Sequence, residues 1–188
     1  KDEFLTTIPK ARRVLFLAEP SEVKPYRLKY ISQFGVVIGP LYISAPGTTL
    51  FVSQPAIPWF FGVKFDSGTC TPTLSFDDLV NLKPSTNKVD AISVVISKKT
   101  HTREHRLRLK LVEYLAKHLG DKLHIFGRDF TPIADKREAI DGYKYHLSLE
   151  NNVMPHFWTE KLADPWLGWA LPFYAGCPNL SDYFSDGS

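Results

Sequence analysis

Short apolar runs rich in β-branched residues recur along the chain, and they constrain its fold more than any other feature. Each run is nearly all apolar and is bounded by turn residues, which is typical of strands covered on both faces. Strands of this kind are characteristic of parallel sheets with helices on either side. The runs lie at residues 14–18, 36–39, 92–96, 123–126, 145–149 and 171–174. The pattern therefore predicts an α/β fold.

The clearest helix lies between two of these runs, at residues 104–119. Leucines recur at every fourth position from Leu107 to Leu119, and charged residues take other faces, as in an amphipathic helix. Gly120 follows, and glycine commonly ends a helix. Strand, helix, glycine and strand in this order predict a βαβ unit.

Prolines divide the stretch 40–88 into loops and short elements, in contrast to the more regular half that follows. A chain of 188 residues is long enough for one large domain or two small ones. We predict two, with a boundary near residues 84–88. The predicted domains are residues 1–88 and 89–188.

Composition excludes several classes of protein. Hydrophobic residues make up 44% of the chain and charged residues 23%, which excludes disordered, collagen-like and coiled-coil chains. Cys70 and Cys177 are too few for a scaffold built on disulfides and lack the spacing of a zinc or redox motif. No apolar run approaches the roughly 20 residues that span a bilayer. The net charge of +3 is too small by itself to indicate a nucleic-acid-binding protein.

Basic residues cluster around the start of the predicted helix. They are Lys98, Lys99, Arg103, Arg106, Arg108 and Lys110. Backbone N–H groups at a helix start beyond a parallel strand already favour anions, so added cations there suit a phosphate or pyrophosphate. A solvated helix face explains the same pattern equally well. No glycine-rich phosphate motif accompanies the cluster, and no aromatic residues are interleaved with it, so we expect side chains to hold any phosphate and no nucleic-acid partner.

Two motifs raise the question of a metal, and neither predicts one. The segment HTREH at residues 101–105 matches the His-x-x-Glu-His pattern of inverted zinc peptidases. It straddles a loop and a helix start, however, and the surrounding basic residues would repel a divalent cation. Asp77 and Asp78 are typical of an Asp-rich helix cap rather than of a metal-binding pair.

A second polar constellation follows the run at 145–149. Polar residues occupy 150–152, and Thr159 then provides an N-cap for a helix that begins with Glu160 and Lys161. A carboxylate and an ammonium in this position can divide a nucleotide between them, because the carboxylate accepts from ribose hydroxyls and the ammonium binds phosphate. A capped helix that carries a surface ion pair is the alternative.

Pro165 interrupts this second helix. A proline inside a helix removes a hydrogen bond, so the helix either kinks or restarts with Asp164 as its cap and Pro165 at its first position. Either outcome alters the angle at which Glu160 and Lys161 are presented.

The order of these motifs resembles the donor-site signature of the alpha-1,3/1,4-fucosyltransferases, glycosyltransferase family ten. The segments that carry the resemblance are YHLSLENN at 145–152, FWTEKL at 157–162 and LPFYAGCP at 171–178, with weaker matches at 18–20 and 126–128. The resemblance covers most of residues 12–184. It implies a GT-B architecture, with Rossmann-like parallel-sheet domains flanked by helices. Residues 1–88 would then be part of the acceptor-side domain and 89–188 a shortened nucleotide-sugar domain, so the chain is expected to be a fragment.

The resemblance also implies an activity and the residues that perform it. The expected reaction is inverting transfer of L-fucose from GDP-fucose to a hydroxyl of an acceptor glycan, with no required cofactor. By position, Arg108 would hold the pyrophosphate, with Arg106 as its rival, and Glu19 would be the general base. The other implied donor contacts are Asn151, Phe157, Glu160 and Lys161, with Phe157 standing where some members have tyrosine. Such a reaction needs a carboxylate to take the acceptor proton and cations to stabilise the departing diphosphate, so a divalent ion is not predicted.

Two alternatives to this activity remain open. The same fold could use another sugar nucleotide, because cations bind a diphosphate without distinguishing sugars. The chain could also be a truncated nucleotide-binding module that performs no transfer. Because the family's eukaryotic members are Golgi membrane proteins with more cysteines, we expect a bacterial protein, cytoplasmic or peripheral to the inner face of a membrane. Its acceptor would be an oligosaccharide or polysaccharide, such as a lipopolysaccharide.

Overall fold

The computed structural model describes residues 5–185, apart from residues 44 and 67. Within these residues, strands and helices alternate through the second half of the chain. The strands are β1 (Val14–Phe16), β2 (Val36–Gly39), β3 (Thr49–Val52), β4 (Val63–Asp66), β5 (Thr69–Pro72), β6 (Val89–Val95), β7 (Leu123–Phe126), β8 (Tyr143–Leu149) and β9 (Leu171–Ala175). The α-helices are α1 (Leu28–Ile31), α2 (Phe76–Asn81), α3 (Arg103–Leu119), α4 (Arg137–Ile140) and α5 (Glu160–Leu167), and short 3₁₀ turns lie at Lys10–Arg12, Gly120–Lys122 and Leu180–Asp182. Every apolar run that predicted a strand forms one.

The chain divides into two compact units. The first contains the chain up to Ile57, the segment Met154–Phe157 and the chain from Cys177 onward. The second contains Pro58–Val153 and Trp158–Gly176. Residues 58–88 therefore pack with the second unit, whereas the predicted boundary lies at residue 88. The reason is that Phe61 is fully buried in a core of the second unit, together with Ile140.

The first unit is built on a parallel sheet with the strand order β1-β2-β3. Its register pairs Val14 with Val36 and Val36 with Thr49. Its buried core consists of Leu17, Ile31, Val37, Leu41 and Ala45. Among the residues that the structure describes, no helix in either unit is both long and apolar enough to cross a bilayer.

The second unit is built on a parallel sheet with the strand order β7-β6-β8-β9. The chain leaves β6 for β7 on one side and then crosses to β8 on the other, so the sheet reverses its order between β6 and β8. Ligands of open α/β sheets bind outside the carboxyl ends of the strands at such a switch point. An antiparallel hairpin, β4-β5, and the capped helix α2 precede this sheet in the chain. Ser75 and Asp78 form the cap of α2, as the Asp-rich sequence predicted.

Helix α3 begins and ends where the sequence predicts, but its buried face differs from the leucine repeat. Leu107 is 48% exposed, whereas Val112 is buried and Leu119 packs against the same core. A residue turns about 100° around a helix, so a four-residue repeat rotates by about 40° at each step. The leucines therefore leave the core at one end of the helix, and the buried stripe includes Leu109 and Ala116 instead.

Helix α5 runs continuously through Pro165. Thr159 caps it as predicted, since its hydroxyl oxygen accepts from the Lys161 N–H at 3.3 Å. The predicted restart at Asp164 is wrong. The Asp164 carboxylate instead accepts from the backbone N–H groups of Phe60 and Phe61, at 2.7 and 3.0 Å, so it does not cap a new helix.

Candidate functional site

A cavity of about 320 Å³ lies in the second unit, at the carboxyl ends of β6 and β8 where the sheet reverses its order. The ends of these strands, the first turns of α3 and α5 and the loop after β7 line it. Gly127 in that loop has φ +130° and lies against the Ile96 carbonyl so closely that no Cβ would fit. The loop can therefore close over the end of β6 only because residue 127 is glycine.

Arg108 reaches the cavity from the first half of α3. Its Nη1 donates to the Leu149 carbonyl at 3.1 Å, which holds the guanidinium at the end of β8. Burial lowers the pKa of Arg108, and the charges of Glu150 and Glu160 oppose that shift. Arg106 is exposed and donates to the Thr100 carbonyl at 2.9 Å, and it does not line the cavity. Of the two rival arginines, the structure brings Arg108 to the candidate site.

Glu150 joins the end of β8 to the start of α5. Its side chain is almost fully buried, and its Oε1 accepts from the Thr159 N–H at 2.8 Å and from the Thr159 hydroxyl at 2.9 Å. Burial raises the pKa of Glu150, and Lys161 and Thr159 offset only part of the shift. Gly176 leaves room for this side chain, because a Cβ there would collide with the Glu150 Cγ. The first turn of α5 is thereby fixed against the sheet.

Glu160 and Lys161 form the centre of a buried ionic network. The Lys161 ammonium lies 3.2 Å from Glu160 Oε1 and 3.5 Å from Glu150 Oε2. Burial alone would raise the pKa of Glu160, but Lys161 and Lys136 outweigh it and lower the pKa to about 2. Burial alone would lower the pKa of Lys161, but the two glutamates outweigh it and raise the pKa. Both groups are therefore charged at neutral pH.

The network continues to Lys136, which precedes α4. Its ammonium lies 3.3 Å from Glu160 Oε1 and 2.7 Å from Asp164 Oδ2. Asp164 is 1% exposed, and burial raises its pKa while Lys136 opposes that rise. Neither residue was predicted as part of a site, although both line the cavity.

Three buried polar atoms of the cavity lining have no hydrogen-bond partner within residues 5–185, residues 44 and 67 aside. They are Arg108 Nε, Ser148 Oγ and Asn151 Oδ1. A buried donor or acceptor without a partner costs about 1–3 kcal/mol, so native structures seldom keep one without a reason. The three residues that carry these atoms line the cavity, and an N–H donor, a hydroxyl and an amide oxygen suit a ligand with both anionic oxygens and hydroxyl groups once a side-chain movement exposes them.

The structure brings four of the predicted donor residues together: Arg108, Asn151, Glu160 and Lys161. Phe157 belongs to the first unit and is 1% exposed, and its predicted contact with a donor stays a prediction. Glu19 also belongs to the first unit, where its N–H donates to the Tyr26 hydroxyl at 3.3 Å, and its predicted catalytic role stays a prediction.

At the helix start, residues 101–105, His105 takes part in the N-cap of α3. His105 Nδ1 lies 2.8 Å from the Thr102 hydroxyl, and the His105 N–H donates to the same oxygen at 3.1 Å. Burial, followed by the charge of Arg108, lowers the pKa of His105. In the part of the chain that the structure describes, no three His, Cys, Asp or Glu side chains form a group that could hold a metal ion.

Three comparisons with known proteins agree on one family. The profile of "Glycosyltransferase family 10 (fucosyltransferase) C-term" matches residues 85–185. A 4-galactosyl-N-acetylglucosaminide 3-alpha-L-fucosyltransferase of Pongo pygmaeus is 34% identical over 84 residues, which are 43% of this chain and 23% of that protein. A 3-galactosyl-N-acetylglucosaminide 4-alpha-L-fucosyltransferase of Homo sapiens is 34% identical over 79 residues, which are 40% of this chain and 21% of that protein. The matches thus span less than a quarter of these relatives.

The solved structures that resemble this chain include an alpha1,3-fucosyltransferase crystallised with GDP-fucose. The TM-score is 0.59 at 19% identity, and the match covers 94% of this chain and 56% of that one. A crystal structure of an alpha1,3-fucosyltransferase with GDP matches with a TM-score of 0.56 at 18% identity, over 94% of this chain and 56% of that one. This likeness confirms the predicted α/β fold of GT-B type. With the profile covering more than half of its residues, the chain belongs to glycosyltransferase family 10, the fucosyltransferase family.

Proposed function

We propose that this chain binds GDP-fucose in the cavity of its second unit and takes part in the transfer of L-fucose to an acceptor glycan. The observation that carries the proposal is the set of three buried atoms, Arg108 Nε, Ser148 Oγ and Asn151 Oδ1, which have no partner among the described residues. Membership of the fucosyltransferase family, and likeness to a fucosyltransferase crystallised with GDP-fucose, support the choice of donor.

The cations of the cavity suit the diphosphate of such a donor. Arg108 lines the cavity, its Nε–H has no acceptor among the described residues, and phosphate oxygens are acceptors that a guanidinium binds well. The Lys161 ammonium is held nearby by two glutamates, and Lys99 and Arg128 also line the cavity. As the bond to fucose breaks, negative charge accumulates on the departing diphosphate. Preorganised cations stabilise that charge without rearranging.

The acceptor oxygens of the cavity suit hydroxyl groups. Glu160 stays ionised far below neutral pH, because Lys161 and Lys136 lower its pKa to about 2 against the effect of burial. Its carboxylate can therefore only accept hydrogen bonds, and sugar hydroxyls are donors of the right kind. Asn151 Oδ1 is a second such acceptor.

The proposed reaction is an inverting displacement. The acceptor hydroxyl oxygen forms a bond to the anomeric carbon of fucose, Glu19 takes the hydroxyl proton, and the bond from that carbon to the β-phosphate oxygen breaks with its electrons leaving on GDP. Glu19 follows β1 directly before Pro20, which is fully buried and fixes the start of this loop. We also propose that the acceptor is an oligosaccharide or polysaccharide, and that the protein is cytoplasmic or peripheral to the inner face of a bacterial membrane.

A donor panel tests the binding step. Calorimetric titration with GDP, GDP-fucose, GDP-mannose and UDP-glucose should show binding of the first two and weaker or no binding of UDP-glucose. Lys161→Met should weaken GDP binding by about 100-fold, since it removes a charge-assisted contact and leaves two glutamates facing the diphosphate. Lys144→Met is the matched control, because Lys144 is half exposed and pairs with the exposed Asp90. Equal affinity for all four nucleotides, or equal loss in both variants, would contradict the proposal.

A second pair of variants tests the transfer step. Glu19→Gln should reduce fucosyl transfer by about 100-fold or more while donor affinity stays the same, because a general base contributes about 100- to 10,000-fold to such a step. Glu22→Gln, in the same loop, should leave transfer unchanged. If the unmodified chain binds GDP-fucose and transfers to none of a panel of acceptor glycans, the chain is a nucleotide-binding module rather than a complete transferase.

A further inference from the structure

Lys136 lies between two carboxylates that the sequence places on one face of a helix. Glu160 and Asp164 are four residues apart in α5, and like charges at that spacing repel each other. The Lys136 ammonium contacts both of them, at 3.3 Å to Glu160 Oε1 and 2.7 Å to Asp164 Oδ2. A lysine from a different segment therefore converts a repulsive pair into a bridge.

Each carboxylate of this bridge also has a second partner. Asp164 is held by the N–H groups of Phe60 and Phe61 at 2.7 and 3.0 Å, so its carboxylate cannot turn. Lys136 is held in turn by Asp164 and lies 5.2 Å from the centre of the Phe60 ring. Its side chain is 18% exposed. Glu160, at the other end, is 11% exposed and also lies 3.2 Å from the Lys161 ammonium, and all three members of the bridge line the cavity.

We propose that Lys136 is a positioning residue for donor binding, which holds the Glu160 carboxylate in its ligand-accepting orientation by bridging it to the buried Asp164. The inference rests on the proposed function, because it assumes that Glu160 accepts hydrogen bonds from the donor. The two ionic contacts of Lys136 are both made to carboxylates of α5, so its proposed role acts through Glu160.

Electrostatics give this role a pH signature. The charged groups around Glu160 come from every element packed against it: Arg108 of α3, Glu150 after β8, Lys161 and Asp164 of α5, and Lys136 before α4, with His146 of β8 also near Lys136. Burial raises the pKa of Glu160, and Lys161 and Lys136 together overcome that rise. Loss of Lys136 leaves one of the two opposing cations, so the pKa of Glu160 rises and the carboxylate begins to take up a proton as the pH falls.

The test compares GDP-fucose affinity at pH 7.5 and pH 5.0 in three lysine variants. Lys136→Met should weaken binding at pH 7.5 by roughly tenfold, and the loss relative to the unmodified chain should be larger at pH 5.0 than at pH 7.5. Lys136→Arg keeps the charge and should restore most of the affinity and remove the added pH dependence. Lys144→Met, at a half-exposed surface pair, should match the unmodified chain at both pH values.

A direct measurement covers the case in which Lys136→Met is poorly folded. In Lys136→Gln, which keeps a polar side chain beside Asp164, the titration of the Glu160 carboxyl followed by carbon NMR should show a higher pKa than in Lys136→Arg and in the unmodified chain, and an equal pKa in all three would also overturn the inference. A Lys136→Met chain that folds, binds GDP-fucose with unchanged affinity and shows no added pH dependence would overturn the inference. Absence of GDP-fucose binding in the unmodified chain would instead overturn the proposed function, so the two failures are distinguishable.

Discussion

The starts of helices α3 and α5 differ in how they hold their charged side chains: most of those at α3 are exposed, and those at α5 are largely buried and paired. Around α3 the chain concentrates basic residues, yet the Arg103 side chain is 77% exposed, Arg106 is exposed, and Arg108 is the arginine of this helix that lines the cavity. At α5 there are fewer charges, but Glu160 is 11% exposed and Asp164 1%, and each has an ammonium within 3.3 Å. Charge density in the sequence is therefore a poorer guide to a site than burial combined with pairing.

The largest effect is expected for Asp164, a carboxylate of α5 that is 1% exposed. Asp164→Ala should lower the free energy of unfolding by about 3–5 kcal/mol, because it removes the closer of the two carboxylates that pair with Lys136 and leaves two backbone N–H groups without their acceptor. Glu104→Ala in the first turn of α3 should cost at most about 1 kcal/mol, since its partner Arg103 is exposed and lies 3.9 Å away. Urea denaturation of both variants checks this, and similar losses would remove the contrast between the two helix starts.

Two arginines of α3, two positions apart, sharpen the comparison for ligand binding. Arg108→Ala should weaken GDP binding by about 100-fold, because it removes a partly buried guanidinium whose Nε–H has no partner among the described residues. Arg106→Ala should change it by less than about twofold, since its side chain lies outside the cavity and an exposed charge contributes little. Calorimetry at one salt concentration distinguishes them. Equal losses would mean that the whole basic cluster, rather than Arg108, attracts the phosphate.

A histidine in β8 gives the second unit a pH dependence. Burial, with the charge of Lys136 as a smaller cause, lowers the pKa of His146 to about 3 from an ordinary value of 6.5. Between these two pH values the unfolded chain binds a proton at His146 that the folded chain does not. The contribution of His146 to the free energy of unfolding is therefore fully present above pH 6.5 and is lost as the pH is lowered towards 3. The slope from this residue is about 1.4 kcal/mol per pH unit.

The share of His146 is measured by difference, because other groups titrate in overlapping ranges. Burial also lowers the pKa of His105, which adds to the loss, whereas Glu150 and Asp164 have raised pKa values and oppose it at the acidic end. His146→Gln should therefore unfold with a smaller loss of stability between pH 6.5 and 5 than the unmodified chain. If the plots of unfolding free energy against pH are parallel for the two proteins, His146 binds its proton as readily in the folded chain as in the unfolded chain, which contradicts the prediction.

The smallest effect is expected at Ser148. Ser148→Ala should weaken GDP-fucose binding by about three- to tenfold, the contribution of one neutral hydrogen bond. The same change should leave the stability of the ligand-free chain unchanged or slightly raised, because the Ser148 hydroxyl has no partner within the described residues. A thermal unfolding scan and a titration on one preparation measure both. Loss of stability without loss of affinity would show that the Ser148 hydroxyl stabilises the fold and does not contact the donor.

The fold was predictable because its signals are local. Six of the seven strands in the two parallel sheets correspond to an apolar run, and α3 ends at the glycine that the sequence predicts. The exception is β3, which lies in the proline-divided stretch 40–88. The buried face of α3 was less predictable, since Leu107 belongs to the repeat and still faces solvent. The packing of residues 58–88 with the second unit was not predictable, because it depends on contacts such as that between Phe61 and Asp164, which are 103 residues apart.

The site was predictable where a motif carries it and not where packing alone does. Asn151, Glu160 and Lys161 lie in segments that resemble the family signature, and they line one cavity. Lys136 lies 24 residues from Glu160 in a stretch without a pattern, so nothing local pointed to it. Glu150 did leave a signal, because a carboxylate that directly follows an apolar strand needs a buried partner, and Thr159 and Lys161 supply it.

A crystal structure of the chain with GDP tests the central claim most directly. The account predicts the diphosphate in the cavity between the ends of β6 and β8, with one phosphate oxygen about 3 Å from Arg108 Nε and another near the Lys161 ammonium. GDP bound instead on the exposed face of α3, against Arg103 and Arg106, would contradict it.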